Sequence, residues 1–319
     1  MPGFDISEYY DLGEISKVEF IRQNENKVYR VDSGRGSFVL RVHEKVQSVN
    51  TVIIKGTLDS DTLTESELTL LETIADSGKV LVQRPVRNQE GGLVSRIGGQ
   101  AVTVLKWIEG ESFADIELTG ELMFRLGQVI AELHRSPAGC DLSGRPDYGE
   151  PLINRLRGAL DTALAEGHIN AGQRETMCGV LAKMSKVLAG ADTGYVHADL
   201  GRSNFILTDS GEIAVIDHSM SGRCAREFDI ASLLMHFEQA GQEMAGKLVE
   251  GYRSVGGDVD MGLVQLCEAY QIVMFIASQH EVIFSQPWFG EALDFWCSGI
   301  MKRSIHHQKY EGEIGLYSM

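Results

Sequence analysis

The sequence offers little to a secretory or membrane reading. Its five cysteines, at 140, 178, 224, 267 and 297, are odd in number, scattered and without a C-x-x-C pair. Free thiols in a reducing, cytoplasmic compartment are expected. The longest apolar run, Ile272–Ala277, is far shorter than the roughly 20 residues of a membrane-crossing helix. The opening Met-Pro-Gly-Phe-Asp-Ile-Ser-Glu lacks a basic region followed by an apolar stretch, so no secretory signal is expected. Basic residues are scarce too: 29 Lys and Arg against 45 Asp and Glu give a net charge of −16. Neither nucleic acid nor membrane is expected as a partner. The deficit is uneven, with 13 basic and 16 acidic side chains in residues 1–110 but 16 and 29 in residues 111–319. An acidic second half suits a cationic substrate, and equally suits a solvated acidic surface.

What is present is an ordered change of periodicity. Lys17–Arg22, Lys27–Val31 and Ser37–Val42 alternate as short strands, with Asp32-Ser-Gly-Arg-Gly-Ser37 as the turn between the last two. Residues 62–76 read as a helix, opening on the capping-box pattern Thr64-Glu-Ser-Glu and carrying Leu68, Leu71 and Ile74 on one face. Val80–Val86 and Ala101–Ile108 read as further strands, with turns at Gly91-Gly92 and Gly98-Gly99. Beyond Glu109-Gly-Glu-Ser the helical period dominates, in segments 122–134, 151–166, 171–189, 229–254 and two helices within 262–304. The expected class is α+β: a small antiparallel-sheet lobe over residues 1–108 and a helical lobe over 109–319, with a cleft between them.

One stretch breaks the helical pattern and carries the chemistry. Tyr195-Val-His-Ala-Asp-Leu-Gly-Arg-Ser-Asn204 is followed by two short apolar runs, Phe205–Leu207 and Ile213–Ile216, around the turn Asp209-Ser-Gly211, and then by Asp217. Phosphoryl transfer needs an in-line acceptor oxygen and neutralised phosphate charge more than covalent help from the protein. Asp199 can take the proton of a substrate hydroxyl. Asn204 and Asp217 offer one neutral and one anionic oxygen to a hard cation such as Mg²⁺. His197 reads as a residue that holds the loop, and Asp229, on spacing alone, as a helix N-cap.

The stretch Asp217-His-Ser-Met-Ser-Gly-Arg-Cys-Ala-Arg-Glu-Phe-Asp-Ile-Ala231, taken with His197-x-Asp-Leu-Gly-x-Ser-Asn204, resembles the aminoglycoside phosphotransferase and choline-kinase-like superfamily. The resemblance implies a protein-kinase-like two-lobe fold and ATP- and Mg²⁺-dependent transfer to a hydroxyl of a small molecule, with an aminoglycoside-like acceptor first. It implies Asp199 as the base, Asn204 and Asp217 as metal ligands, and Asp229 as the buried aspartate that ties down the catalytic loop. Arg41 stands where the family commonly has the phosphate-binding lysine, with Glu67 as its partner. An insertion around residues 46–60 makes Lys55 a rival for that role. Leu105-Lys-Trp-Ile-Glu-Gly110 matches the hinge, so backbone groups of Lys106 and Ile108 would bind the adenine edge. The glycine-rich phosphate loop is missing: Arg22-Gln-Asn-Glu-Asn-Lys27 occupies that turn. The resemblance spans about residues 15–235.

Other classes remain open at this level. His197, Asp199, Asp217 and His218 are the ingredients of a divalent-metal phosphohydrolase. Arg41 in place of Lys and Asp217-His-Ser in place of Asp-x-Gly allow an inactive nucleotide-binding pseudokinase. A protein kinase is disfavoured, because only eleven residues separate Asp217 from Asp229. The acceptor (aminoglycoside, choline, homoserine or a sugar-like metabolite), the choice of ATP over GTP and the oligomeric state are not encoded in these motifs. Residues 236–319, where much of the acceptor pocket belongs, carry none.

Overall fold

A computed structural model describes residues 4–23, 26–43, 49–237, 239, 241–279 and 283–306 of the chain. The N-terminal alternation forms β1 (Ile15–Gln23), β2 (Asn26–Ser33) and β3 (Gly36–His43), followed by α1 (Val49–Lys55), α2 (Ser60–Ser77), β4 (Leu81–Val82), β5 (Pro85–Val86), β6 (Ser95–Ile97) and β7 (Gln100–Lys106). The sheet runs β1-β2-β3-β7-β5, antiparallel throughout, with β6 also on β7. Strand alternation sorts its two faces. Phe38, Leu40 and Val42 face outward and are sealed by Ile6, Tyr10 and Leu12 of the N-terminal segment. Val39 and Leu105 face inward onto Leu68, Leu71 and Ile74 of α2.

Two expectations are corrected in this region. The cap of α2 is Asp59, whose carboxylate accepts from the amides of Asp61 and Thr62. Thr64 lies inside the first turns and its hydroxyl bonds Ser60 O, so the Thr64 capping box does not form. Val80–Val86 is two strands rather than one: Leu81–Val82 leaves the sheet to pair in parallel with the later hairpin, while Pro85–Val86 pairs with β7. Pro85, which has no amide to donate, opens the second piece on the sheet's edge. The turn residues 24–25, and residues 44–48 where the insertion expected around residues 46–60 begins, lie outside the described residues. Within the expected insertion, α1 docks on the helical part, where Arg155 donates to the carbonyls of Ile53 and Ile54.

The second part comprises β8 (Glu111–Ser112), α3 (Gly120–Arg135), α4 (Glu150–Ala165), α5 (Ala171–Leu188), β9 (Gly194–Val196), β10 (Phe205–Leu207), β11 (Ile213–Val215), β12 (Gly222–Cys224), α6 (Glu227–His236), α7 (Gln242–Ser254), α8 (Met261–Ser278), α9 (Phe289–Trp296) and α10 (Lys302–His306). The expected helix over 229–254 is broken into α6 and α7, with Gly241 at φ 88° between them, a backbone state that favours glycine. α8, largely apolar but carrying Gln265, Glu268 and Gln271 at helical spacing, packs against α4, α5 and α6.

α3 and α7 pack closely against each other. Gly127 and Gly251 make the approach possible, because a Cβ at either would overlap a carbonyl oxygen of the facing helix, Leu248 O or Phe124 O. An alanine in a helix normally stabilises it by up to about 1 kcal/mol relative to glycine. Gly127→Ala should invert that sign and cost about 1–3 kcal/mol through overpacking. Gly158→Ala on the exposed face of α4, where nothing lies within 4 Å of the added carbon, should stabilise. Thermal denaturation of the two variants checks the contrast.

Candidate active site

β9 enters the site already paired with β12, Tyr195 opposite Arg223. The chain then turns sharply. Ala198 adopts φ 63° and, across the hairpin, Asp217 adopts φ 62°. These are the two non-glycine residues with positive φ among the described residues. Each such position costs on the order of 1–3 kcal/mol and persists only where its surroundings impose it.

At Ala198 the imposing group is Asp229. Its fully buried carboxylate accepts from the amides of His197 (2.7 Å) and Ala198 (2.8 Å) and from His134 Nε2 (2.9 Å), and His134 Nδ1 in turn meets Tyr252 OH at 2.9 Å. Asp229 lies in the first turn of α6 and does not cap it; the residue at the cap is Arg226. The N-cap reading is therefore replaced by a loop clamp. His134, in the last turn of α3, is the clamp's partner 95 positions away.

His197 is buried and both ring nitrogens serve the loop: Nδ1 accepts from Asp199 N (3.3 Å) and Nε2 donates to Ile216 O (3.1 Å). His218 is likewise spent, between Tyr195 OH (2.6 Å) and Val215 O (3.3 Å), and burial pushes its pKa well below the ordinary histidine value. Among the described residues no group of three or more His, Cys, Asp and Glu could hold a metal ion. The ligand set of a metal phosphohydrolase is therefore not assembled here.

A smaller set is assembled. Asn204 Nδ2 donates to Asp199 O (2.8 Å) and Asp199 Oδ2 (3.1 Å). This fixes the amide and leaves Oδ1 as its outward acceptor. Ile216 N donates to Asn204 O (3.0 Å), and Phe205 pairs with Val215, so Asn204 and Asp217 sit at adjacent ends of one hairpin. Burial would raise the carboxyl of Asp217, but the positive charges of Arg41 and Arg22 outweigh it and hold the pKa below the ordinary aspartate value. One amide oxygen beside one ionised carboxylate suits a hard divalent cation whose other sites go to water and phosphate. The residues present thus fit such an ion.

The segment after Asp217 is pinned by a residue that no motif marked. Arg145, 3% exposed, donates to the carbonyls of Ser221 (2.9 Å), His218 (3.1 Å) and Ser219 (2.7 Å), and to Leu63 O of α2 (2.7 Å). It ties the metal-side loop to the helix that carries Glu67. Arg41 on β3 meets Glu67 at 2.7 Å, both side chains buried. Desolvation opposes the charge on Arg41, but Glu67 and Asp217 more than offset it and raise its pKa. Lys55 ends α1, and its charge, like that of Arg41, is felt at His43 near the end of β3. At the hinge, Lys106 N is taken by Arg84 O (2.8 Å), whereas Ile108 makes no hydrogen bond among the described residues. The amide of Lys106 is therefore spent within the fold. Trp107 carries Arg30 over its ring at 4.7 Å, and its buried Nε1 has no hydrogen-bond partner among the described residues. The pair His306-His307, in sequence at most a weak metal candidate and more simply solvated tail residues, is described only as far as His306.

Residues 17–262 match the model of the phosphotransferase enzyme family, and the chain belongs to that family. A homoserine kinase of Methylorubrum populi is 26% identical over 266 residues, which cover 77% of this chain and 74% of that protein. Among solved structures, an amicoumacin kinase in complex with AMP-PNP and Ca²⁺ superposes with a TM-score of 0.69 at 18% identity, covering 92% of this chain and 90% of that one. A microcompartment-associated aminopropanol kinase gives 0.65 at 20% identity, covering 94% of each. The fold is kinase-like, and the protein is a phosphotransferase with a small-molecule hydroxyl as acceptor.

Removing the clamp should be costly. Asp229→Ala leaves two buried amides and His134 without their acceptor, a loss of about 3–5 kcal/mol. His134→Gln, which keeps a donor, should cost about 1–2 kcal/mol. Chemical denaturation measures both. Hydrogen exchange at the His197 and Ala198 amides should be accelerated in Asp229→Ala beyond the global change.

Proposed function

We propose that this phosphotransferase transfers the γ-phosphoryl group of ATP, with Mg²⁺, to the hydroxyl of a small alcohol that carries a cationic nitrogen. The observation that carries the chemistry is the Asp199–Asn204–Asp217 arrangement, held by buried groups whose only evident purpose is to fix it. Asp199 accepts the acceptor's proton and aims its oxygen, and the bond to Asn204 Nδ2 orients its carboxylate. Asn204 Oδ1 and Asp217 would hold the Mg²⁺. Bound there, the ion supplies neutralisation of the phosphate charge that develops in transfer. Arg41, locked by Glu67, faces the same phosphates from the sheet. The backbone at Ile108, with the remaining polar edge of Lys106, is the position for the base.

The acceptor class rests on two supports. The second half of the chain carries 29 acidic against 16 basic side chains, a field that draws cations. Homoserine and aminopropanol, named for two similar proteins, both combine a hydroxyl with an amine, as aminoglycosides do. The aminoglycoside expectation thereby widens to amino alcohols in general. Five free cysteines and the acidic balance support a cytoplasmic enzyme working on neither nucleic acid nor membrane.

A coupled assay against homoserine, choline, aminopropanol, aminoglycosides and nitrogen-free sugars tests the reading. Turnover is expected with one of the amino alcohols and not with the sugars. Asp199→Asn should lose about 10²–10⁴-fold in kcat while still binding nucleotide. Near-wild-type turnover in that variant would remove Asp199 from its role. Nucleotide binding with no turnover on any acceptor would favour the pseudokinase.

A further inference from the structure

The cation that touches Asp217 is not the family's strand residue but Arg22, 195 positions away, whose Nη2 lies 2.9 Å from Asp217 Oδ2. An irregularity in the sheet puts it there. Phe20 pairs with Tyr29 on the outer face, where their rings meet at 5.5 Å. Strict alternation would keep Arg22 on that same outer face. The register of β1 shifts between Phe20 and Arg22, so that Arg22 pairs with Val28 instead of Lys27. Ile21 is the extra residue of a β-bulge, a device that re-aims a side chain. Val28 pairs in turn with Arg41, and Arg41 with Thr103. Residues directly opposite share a face, so Arg22, Val28, Arg41 and Thr103 form one inward row, with the two arginines two strands, about 10 Å, apart.

The turn that follows Arg22 contains no glycine, the residue that lets a phosphate-cradling loop bring its backbone closest to the anion. A guanidinium is a strong bidentate phosphate ligand. We propose that Arg22 is a charge-exchange residue. In the nucleotide-free enzyme it holds Asp217 in place of the divalent cation, and when the metal–nucleotide binds it moves from Asp217 to the phosphate oxygens, substituting for the absent glycine-loop amides. The inference rests on the assignment of Asp217 as a metal ligand.

The exchange makes two opposed predictions for Arg22→Gln, a substitution at a side chain 46% exposed and so harmless to folding. Without nucleotide, Mn²⁺ binding followed by the EPR signal of the free ion should tighten several-fold, because a competing cation is gone. With Mg²⁺ present, ATP binding measured by equilibrium dialysis should weaken by about tenfold or more, the loss of a charge-assisted bond. Arg22→Lys should fall between wild type and Arg22→Gln on both. Either constant staying within twofold of wild type in Arg22→Gln overturns the exchange. Asp217→Asn separates the two ideas: loss of Mn²⁺ binding supports the ligand assignment, and wild-type Mn²⁺ binding in that variant overturns the assignment itself.

Discussion

The site depends on one buried carboxylate. Asp229 receives three donors, two of them successive backbone amides, and so compels Ala198 into a left-handed conformation that alanine otherwise avoids. That turn makes the chain leave β9 and present Asp199 toward the hairpin instead of continuing as strand. An ionised carboxylate with no exposed surface is expensive to bury unless its lone pairs are filled. Here they are filled by the groups that need positioning, so desolvation is offset by the same contacts that set the geometry. Tyr252 and His134 extend the clamp into the α3–α7 pair, whose glycines bring those helices close enough for the tyrosine hydroxyl to reach.

The rest of the catalytic segment follows the same rule. Arg145 binds four carbonyls, and Arg202 binds the carbonyls of Phe113 and Ile116. These groups hold main chain, not side chains, so they fix the path of the loops without specifying what the loops carry. In the Asp217-His-Ser stretch, His218 turns inward between Tyr195 and Val215 and takes no part at the surface of the site.

How much of this could be read in advance depends on the sequence separation of the partners. Asp199, Asn204 and Asp217 were legible because their offsets span a single loop and hairpin, and the strands of the sheet because turn residues punctuate them. Arg41 with Glu67 was legible once β3 and the first helix were counted. His134 and Arg145 were not, because their roles exist only after α3 and the following loop have packed onto residues more than 70 positions distant. The break between α6 and α7 had one signal, Gly241. The capping pattern at Thr64 misled because a stronger acceptor, Asp59, lies one turn earlier at the entrance to the helix. Arg22 was hidden for a different reason: its parity in β1 is wrong for the cleft, and a bulge, which no local propensity marks, reverses it.

That reversal matters for the charge balance across the cleft. Two arginine–carboxylate pairs face each other across the cleft, Arg41 with Glu67 and Arg22 with Asp217. The first pair is buried on both sides, and separating it would strand a charge in a low-dielectric setting, so it stays intact when a ligand enters. The second pair is half exposed, and its net attraction is correspondingly small, so it can be broken at little cost. A nucleoside triphosphate brings more negative charge than one divalent cation neutralises. If the cation takes Asp217, the positive charge freed to meet the remainder belongs to Arg22. On the proposed exchange, the buried pair would set where the phosphates lie and the exposed pair would supply the charge that moves.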